Sequence, residues 1–200
     1  AAAYLVEGLA ESDLGARSWA WVDRTYVKYP KDEVWSVTVK NEHGSVQLDR
    51  DPGSSAWALL GATREVDTSA VERVVSDARD IGLQAPVGKS ETPEMKLGEA
   101  ATLTLVTGTA TVSGAPPKST ETVTIRVGAK VPNKDRRYVK ASSSEYVVEV
   151  QDYELEKLLE AKSDELLKEE EETGDAAEGA GEADGDASGG ADAPEPEAAE

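Results

Sequence analysis

Two stretches of the chain alternate apolar and polar residues, and each is followed by apolar residues at helical spacing. The first alternation runs from Trp35 to Leu48, and the second comprises Leu103–Leu105 and Val123–Val127. A period of two is typical of half-buried strands, because successive side chains in a strand point to opposite faces of the sheet. The pattern therefore predicts an α+β fold, in which repeated modules each pack one helix on an antiparallel sheet.

The first predicted sheet is a three-strand meander. Its turns are expected at Asn41–Gly44, where Gly44 can take a positive φ, and at Asp51–Ser55. Trp35 is expected on the buried face of the first strand, together with Val37. The apolar positions of the three strands are Trp35, Val37 and Val39, then Val46 and Leu48, then Trp57 and Leu59.

A helix follows this meander. Asp67 or Ser69 is the expected N-cap, and Gly82 lies where a glycine would end the helix. Its apolar residues fall three and four positions apart, as the buried face of a helix requires. They are Val71, Val74, Val75, Ala78 and Ile81. A further strand is expected from Leu83 to Val87.

The second predicted module repeats this plan after a polar connector at Gly88–Gly98. Its strands are expected at Leu103–Leu105, Val123–Val127, Arg137–Lys140 and Tyr146–Val150, with a short additional strand at Thr111–Val112 and a turn at Ser142–Ser144. A final helix is expected from Tyr153 onward. Its expected apolar face consists of Leu155, Leu158, Leu159, Leu166 and Leu167.

A short repeat suggests how the parent protein is organised. Tyr4-Leu5-Val6-Glu7 returns as Tyr146-Val147-Val148-Glu149, which closes the second module. We therefore expect residue 1 to be a fragment boundary and the parent protein to contain repeated modules. The expected divisions are 1–29 as the end of a preceding module and a linker, 30–88 and 89–168 as two α+β modules, and 169–200 as a tail.

The acidic charge of the chain is concentrated in that tail. Residues 169–200 contain 13 acidic and no basic side chains, so the formal charge of −19 falls to −6 for residues 1–168. The tail has no apolar periodicity and is expected to be disordered, because it cannot bury enough surface to offset its ordering entropy. Neither part offers the basic patch that nucleic-acid binding requires. No apolar run approaches the roughly 20 residues that span a bilayer, so direct membrane insertion by this chain is not expected.

The motifs that carry chemistry are weak. Asp184–Glu195 matches the ligand spacing of a calcium loop, but no amphipathic helices flank it, and a dedicated metal site is not expected. His43 is the sole histidine and cysteine is absent, which excludes disulfides and thiol catalysis. Gly128-Ala129-Lys130 resembles part of a phosphate loop but lacks the upstream glycine. The sequence therefore predicts no catalytic, cofactor-binding or metal-ligating residues and no cofactor.

Four tryptophans are candidates for a carbohydrate or partner platform. Trp35 and Trp57 lie in strand alternation, which favours the core for both. Trp19 and Trp21 are the better surface candidates, although a core-edge or linker role is equally compatible with them. Acidic pairs are numerous, but the pattern singles out no pair of carboxylates for glycosidase-like chemistry.

The strand residues resemble a bacterial family known as domain of unknown function 4340, over about residues 1–168. In the first module the resemblance is carried by Val37-Thr38-Val39, Val46-Gln47-Leu48, Trp57-Ala58-Leu59 and the Asp-capped helix. In the second it is carried by Leu103–Leu105, Val123–Gly128, Tyr138–Lys140 and Tyr146–Val148. The segment Thr107–Thr120 looks longer than its counterpart in that family.

The resemblance implies a repeated α+β protein held to the membrane by an N-terminal helix, which we expect to lie in the parent protein before residue 1. Such proteins are often encoded beside ABC transporters of the kind linked to gliding motility, as auxiliary envelope components. We therefore expect a non-enzymatic, extracytoplasmic scaffold or interaction module with protein partners in a membrane-associated complex. The alternative is a hydrolase that uses acidic residues, or a carbohydrate-binding or carbohydrate-processing module. The alternative location is the cytoplasm.

Overall fold

A computed structural model describes residues 23–110 and 115–168 of the chain. Its strands are β1 Thr25–Lys28, β2 Val34–Asn41, β3 Gly44–Arg50, β4 Trp57–Leu59, β5 Asp80–Gly82, β6 Ala85–Gly88, β7 Ala101–Thr107, β8 Glu121–Lys130, β9 Arg136–Ala141 and β10 Val147–Gln151. Its α-helices are α1 Thr68–Arg79 and α2 Asp152–Glu160. The predicted strands at Tyr4–Val6 and Thr111–Val112, and the predicted tail, lie outside the described residues.

Eight strands form one sheet in the order β4-β3-β2-β7-β8-β9-β10-β6, and β1 and β5 form a separate two-stranded ribbon. All pairings between the described strands are antiparallel. Two meanders run outward from the central pair β2 and β7, and each is followed by a helix. The α+β class predicted from the alternation is thus confirmed. Strands of both predicted modules lie in this one sheet, because β2 pairs with β7 from Val34 to Asn41.

Both helices pack on the same face of the sheet, which we call the inner face. α1 and α2 contact each other, and both contact β2. The core between helices and sheet is continuous across the central pair of strands, since all its members belong to one cluster. They include Val37, Val39, Leu103, Leu105 and Ile125 from the sheet, Val71, Val74 and Val75 from α1, and Leu155 and Leu158 from α2.

Helix α1 begins as predicted and ends earlier than predicted. The Oδ1 atom of Asp67 accepts hydrogen bonds from the amides of Ser69 and Ala70, at 2.8 and 3.0 Å. Ile81 is buried as predicted, but it belongs to β5 and not to the helix. The helix ends at Arg79 because the following residues pair with β1, where Ile81 lies opposite Val27. Gly82 is therefore a strand residue and not the helix-ending glycine that the spacing suggested.

Helix α2 is also shorter than predicted, so Leu166 and Leu167 do not belong to its apolar face. The side-chain amide of Asn41 donates to the carbonyl oxygens of Leu158 and Ala161, at 3.2 and 2.9 Å. These bonds satisfy carbonyls that have no partner at a helix end. Leu166 is buried in a short 3-10 turn, and Leu167 bridges to Val66.

A β-bulge changes the orientation expected for Trp35. Val34 pairs with Thr107 and Ser36 with Val106, so Trp35 is the extra residue between two paired positions. An extra residue shifts the alternation by one step. Val34 is consequently buried together with Val37, whereas Trp35 is only half-buried. The expectation that Trp35 lies in the core was wrong for this reason.

The connector from β6 to β7 crosses the face of the sheet opposite the helices, which we call the outer face. It starts at the β6 edge and reaches the centre of the sheet, and on its way Glu91 pairs with Arg126 of β8. A 3-10 turn at Pro93–Met95 in this connector packs on β8 at Gly128. A Cβ atom at Gly128 would stand 2.1 Å from the carbonyl oxygen of Met95. Gly128 thus allows the two backbones to meet.

Replacing Gly128 with alanine should destabilise the protein by about 1–3 kcal/mol or more, because the added methyl group must displace backbone and not a flexible side chain. The matched control is Gly53→Ala, whose Cβ atom would make an ordinary 3.4 Å contact with Asp51. Urea unfolding of both variants measures the difference. Equal stability of Gly128→Ala and the parent protein would contradict this packing of the connector.

Candidate functional site

A cleft of about 410 Å³ lies between the β8–β9 hairpin and α2, beside Glu42 of the β2–β3 turn. It is lined by Glu42, Lys130, Asp135, Arg137, Asp152, Tyr153, Glu156, Leu159 and Glu160. Acidic side chains converge here with two cations and an exposed tyrosine ring. The cleft therefore contains the types of side chain that acid–base chemistry requires.

The carboxylate of Asp152 is engaged on both oxygens. Arg137 Nε donates to Oδ1 at 2.5 Å, and Lys130 Nζ lies 2.5 Å from Oδ2. Burial by itself would raise the pKa of Asp152, but the hydrogen bonds and charges of Lys130 and Arg137 outweigh it and hold the pKa below its usual range. Asp152 is therefore ionised at neutral pH, which suits it to fix the hairpin against α2 and not to donate a proton.

Glu149 of β10 forms the second ion cluster of this region. Its side chain is 9% exposed and accepts hydrogen bonds from Lys134 Nζ at 2.7 and 3.0 Å and from Arg136 Nη1 at 2.9 Å. Burial by itself would raise the pKa of Glu149, whereas the hydrogen bonds and charges of the two basic residues lower it, and the net shift is downward. Glu149 thus ties the β8–β9 turn to β10.

Two carboxyl groups on the helices have a raised pKa. Burial raises the pKa of Asp77 on α1 against the opposing charge of Lys157. Burial also raises the pKa of Glu154 on α2, with hydrogen bonds to Tyr153 and Gly82 acting in the opposite direction. A carboxyl group with a raised pKa is the usual general acid. Neither group lines the cleft described above, so the structure does not bring them together with Asp152.

The two tryptophans in the described part of the chain differ in burial. Trp57 is buried in the core, as expected. Trp35 donates from Nε1 to the carbonyl oxygen of Gly108 at 2.8 Å, and the guanidinium of Arg50 lies 5.4 Å from its ring centroid. Arg50 therefore occupies ring surface that a sugar would need. Trp19 and Trp21 lie outside the described residues.

The other motifs singled out in the sequence lie in ordinary turns and strands where the structure describes them. His43 sits in the β2–β3 turn, where its Nε2 atom is 3.6 Å from Glu42. Gly128–Lys130 forms the end of β8 and not a phosphate loop. Within residues 23–110 and 115–168 no group of three histidine, cysteine or acidic side chains could hold a metal ion. The calcium-like segment Asp184–Glu195 lies outside these ranges.

The sequence did not reveal two surface features, because each depends on strand register or sheet order. The first is a row of cations on the outer face. Lys40 of β2 lies opposite Thr102 of β7, Thr102 opposite Arg126 of β8, and Arg126 opposite Lys140 of β9. We call these three cations, together with Thr102, the basic row.

The second feature is a pair of exposed apolar side chains at the β6 edge of the sheet. Val87 is 41% and Tyr146 46% exposed. Val87 precedes Gly88 and Tyr146 precedes Val147, the two residues that pair across these strands. Lys89 Nζ lies 5.1 Å from the centroid of the Tyr146 ring and 2.5 Å from Glu145. We call Val87 and Tyr146 the edge patch.

No family model, curated protein or solved structure matches this chain. Within the described residues, no helix is long and apolar enough to cross a membrane.

Glu149→Gln should lower the free energy of unfolding at pH 7 by about 1–3 kcal/mol, because it weakens hydrogen bonds between charged groups in a largely buried cluster. Since the folded-state pKa of Glu149 lies below its unfolded value, near 4.3, this stability is present above that value and is lost as the pH falls through the folded-state pKa. Urea unfolding at pH 7 and pH 3 measures both effects.

The matched control is Glu145→Gln, because Glu145 also pairs with a lysine but is 75% exposed. Its effect should stay within about 0.5 kcal/mol. A Glu149→Gln defect that persists undiminished at the acidic pH would show that the charge of Glu149 is not the source of its contribution.

Proposed function

We propose that this chain is a non-enzymatic, extracytoplasmic scaffold or interaction module of a membrane-associated, transporter-linked complex. The resemblance of the strand residues to domain of unknown function 4340 is one support for this assignment. The proposal further holds that the β2–β4–α1 and β7–β10–α2 segments are copies of one module, since both are meanders that run outward from the centre of the sheet and end in a helix.

The observation that carries a binding role is the edge patch. Protein interfaces are enriched in aromatic side chains, tyrosine among them, relative to the rest of the surface. Tyr146 and Val87 are exposed on either side of the Gly88–Val147 pair at one edge of the sheet, where a partner can cover the tyrosine ring and the valine methyl groups. A protein partner is therefore proposed to contact this chain at the edge patch.

The carboxylates of the cleft support a structural role over a catalytic one. Asp152 is bonded to two cations, and the neighbouring Glu149 to two others. A group held ionised in this way is a poor general acid. The alternative of an acidic-residue hydrolase rests on the raised pKa values of Asp77 and Glu154.

Site-specific photocrosslinking tests the binding role. A benzoylphenylalanine replaces Tyr146 in one variant and Tyr153 in the other, since Tyr153 is 65% exposed and lies on α2 at the cleft. These variants are produced in cells that contain the parent protein's membrane partners. The variant with benzoylphenylalanine in place of Tyr146 should form a discrete adduct with a protein of the membrane complex. Tyr153 should not, because it lies away from the edge patch.

If the variant at position 153 forms adducts and the variant at position 146 does not, the interface lies at the cleft, and the proposed role of the edge patch is wrong. The hydrolase alternative requires turnover of a glycoside or ester substrate that Glu154→Gln or Asp77→Asn abolishes while folding is retained. Such turnover would overturn the non-enzymatic assignment.

A further inference from the structure

The helices leave the outer face uncovered, and the β6–β7 connector covers only its part at Thr102, Arg126 and Gly128. The inner face is covered by α1 and α2. The β4 edge is only three residues long, and the β6 edge carries Pro86 and a register irregularity at Val87. Short strands, prolines and bulges keep sheet edges from accepting a further strand. Of the surfaces of this sheet, the outer face of β2, β7, β8 and β9 is therefore the one that remains for an extended ligand to bind.

The basic row places two lysines without an ion-pair partner among the described residues on this face. Lys40 and Lys140 have no hydrogen-bond or ion-pair partner among the described residues, and Arg126 pairs with Glu91. The row crosses four adjacent strands, so Lys40 and Lys140 stand about 14 Å apart at three strand spacings. Two unpaired cations in register, in a chain with an acidic net charge, mark a place where a negatively charged ligand gains attraction.

Three threonine hydroxyl groups form a second row on the outer face, two residues along the strands from the basic row. Thr38, Thr104 and Thr124 lie opposite one another on β2, β7 and β8. Each threonine hydroxyl both donates and accepts a hydrogen bond. Their β-branched side chains have few rotamers to lose on binding. The face thus offers three hydroxyls beside a line of cations.

This chemistry matches a glycan better than a protein. The centre of a protein interface is apolar and depleted of lysine and serine, whereas Val106 is the single apolar residue among those facing outward from Ser36 to Lys40 on β2 and their partners on β7 and β8. Nucleic acid requires many more phosphate-neutralising cations than this row supplies. Sugar hydroxyls bond to threonine hydroxyls in both directions, and acidic sugars match the cations.

We propose that the basic row and the adjoining threonines bind an extended anionic polysaccharide, a chain of sugars that carry carboxylates. The polysaccharide lies across the strands beside the connector, with its carboxylates at Lys40 and Lys140 and its hydroxyls at Thr104 and Thr124. This ligand is additional to the protein partner at the edge patch and does not depend on it.

Calorimetric titration of the full chain with polygalacturonate, at about 50 mM salt where screening is weak, tests the proposal. The charge variant is Lys40→Gln/Lys140→Gln. Its control is Lys157→Gln/Lys162→Gln, which removes the same charge from exposed lysines on and just after α2. The charge variant should bind about fivefold more weakly or worse, and the control should stay within about twofold of the parent. Neutral dextran should not bind.

A second variant separates glycan from acidic protein. Thr104→Val/Thr124→Val keeps β-branched strand residues but removes the hydroxyls. It should weaken binding of polygalacturonate and leave any binding of polyglutamate unchanged. Binding of polyglutamate as tight as that of polygalacturonate would assign the face to an acidic protein and overturn the proposal. So would absence of polygalacturonate binding, or an equal loss in the Lys157/Lys162 control.

Discussion

The antiparallel pairing of β2 with β7 joins the two halves of the protein into one sheet. Its ladder places Val37 opposite Leu105 and Val39 opposite Leu103, and all four side chains are fully buried. Because α1 and α2 both rest on this region, the pairing sets the position of each helix relative to the other. The inner core, the outer face and the cleft beside α2 all depend on it.

The same ladder decides what each face can do. Since the side-chain period of a strand is two, a register that buries Val37 and Val39 must turn Thr38 and Lys40 outward. Antiparallel pairing then aligns Lys40 and Thr102 with Arg126 and Lys140 on strands far away in sequence. The stable inner core and the outer face to which we assign a ligand are thus two consequences of one register.

Local patterns in the sequence predicted most of the elements but not their junctions. The turns, the meander and the Asp67 cap follow from neighbouring residues, and they are present. The end of α1 did not follow, because Ile81 continues the helical spacing while its backbone pairs with β1. Trp35 was misplaced because a bulge depends on the partner strand. The end of α2 is set by Asn41, which lies over a hundred residues away.

Native-state hydrogen exchange measures most directly whether the β2–β7 pairing makes the two halves one cooperative unit. Amides of β3 and β9 lie in opposite halves. β3 adjoins the central pair directly, and β9 is separated from it by β8. If the sheet unfolds as a whole, the slowest amides of β3 and β9 should exchange with the same free energy, and Leu105→Ala in β7 should lower both equally, by about 2–5 kcal/mol. Exchange of β9 at a distinct free energy that Leu105→Ala leaves unchanged would contradict a single cooperative sheet.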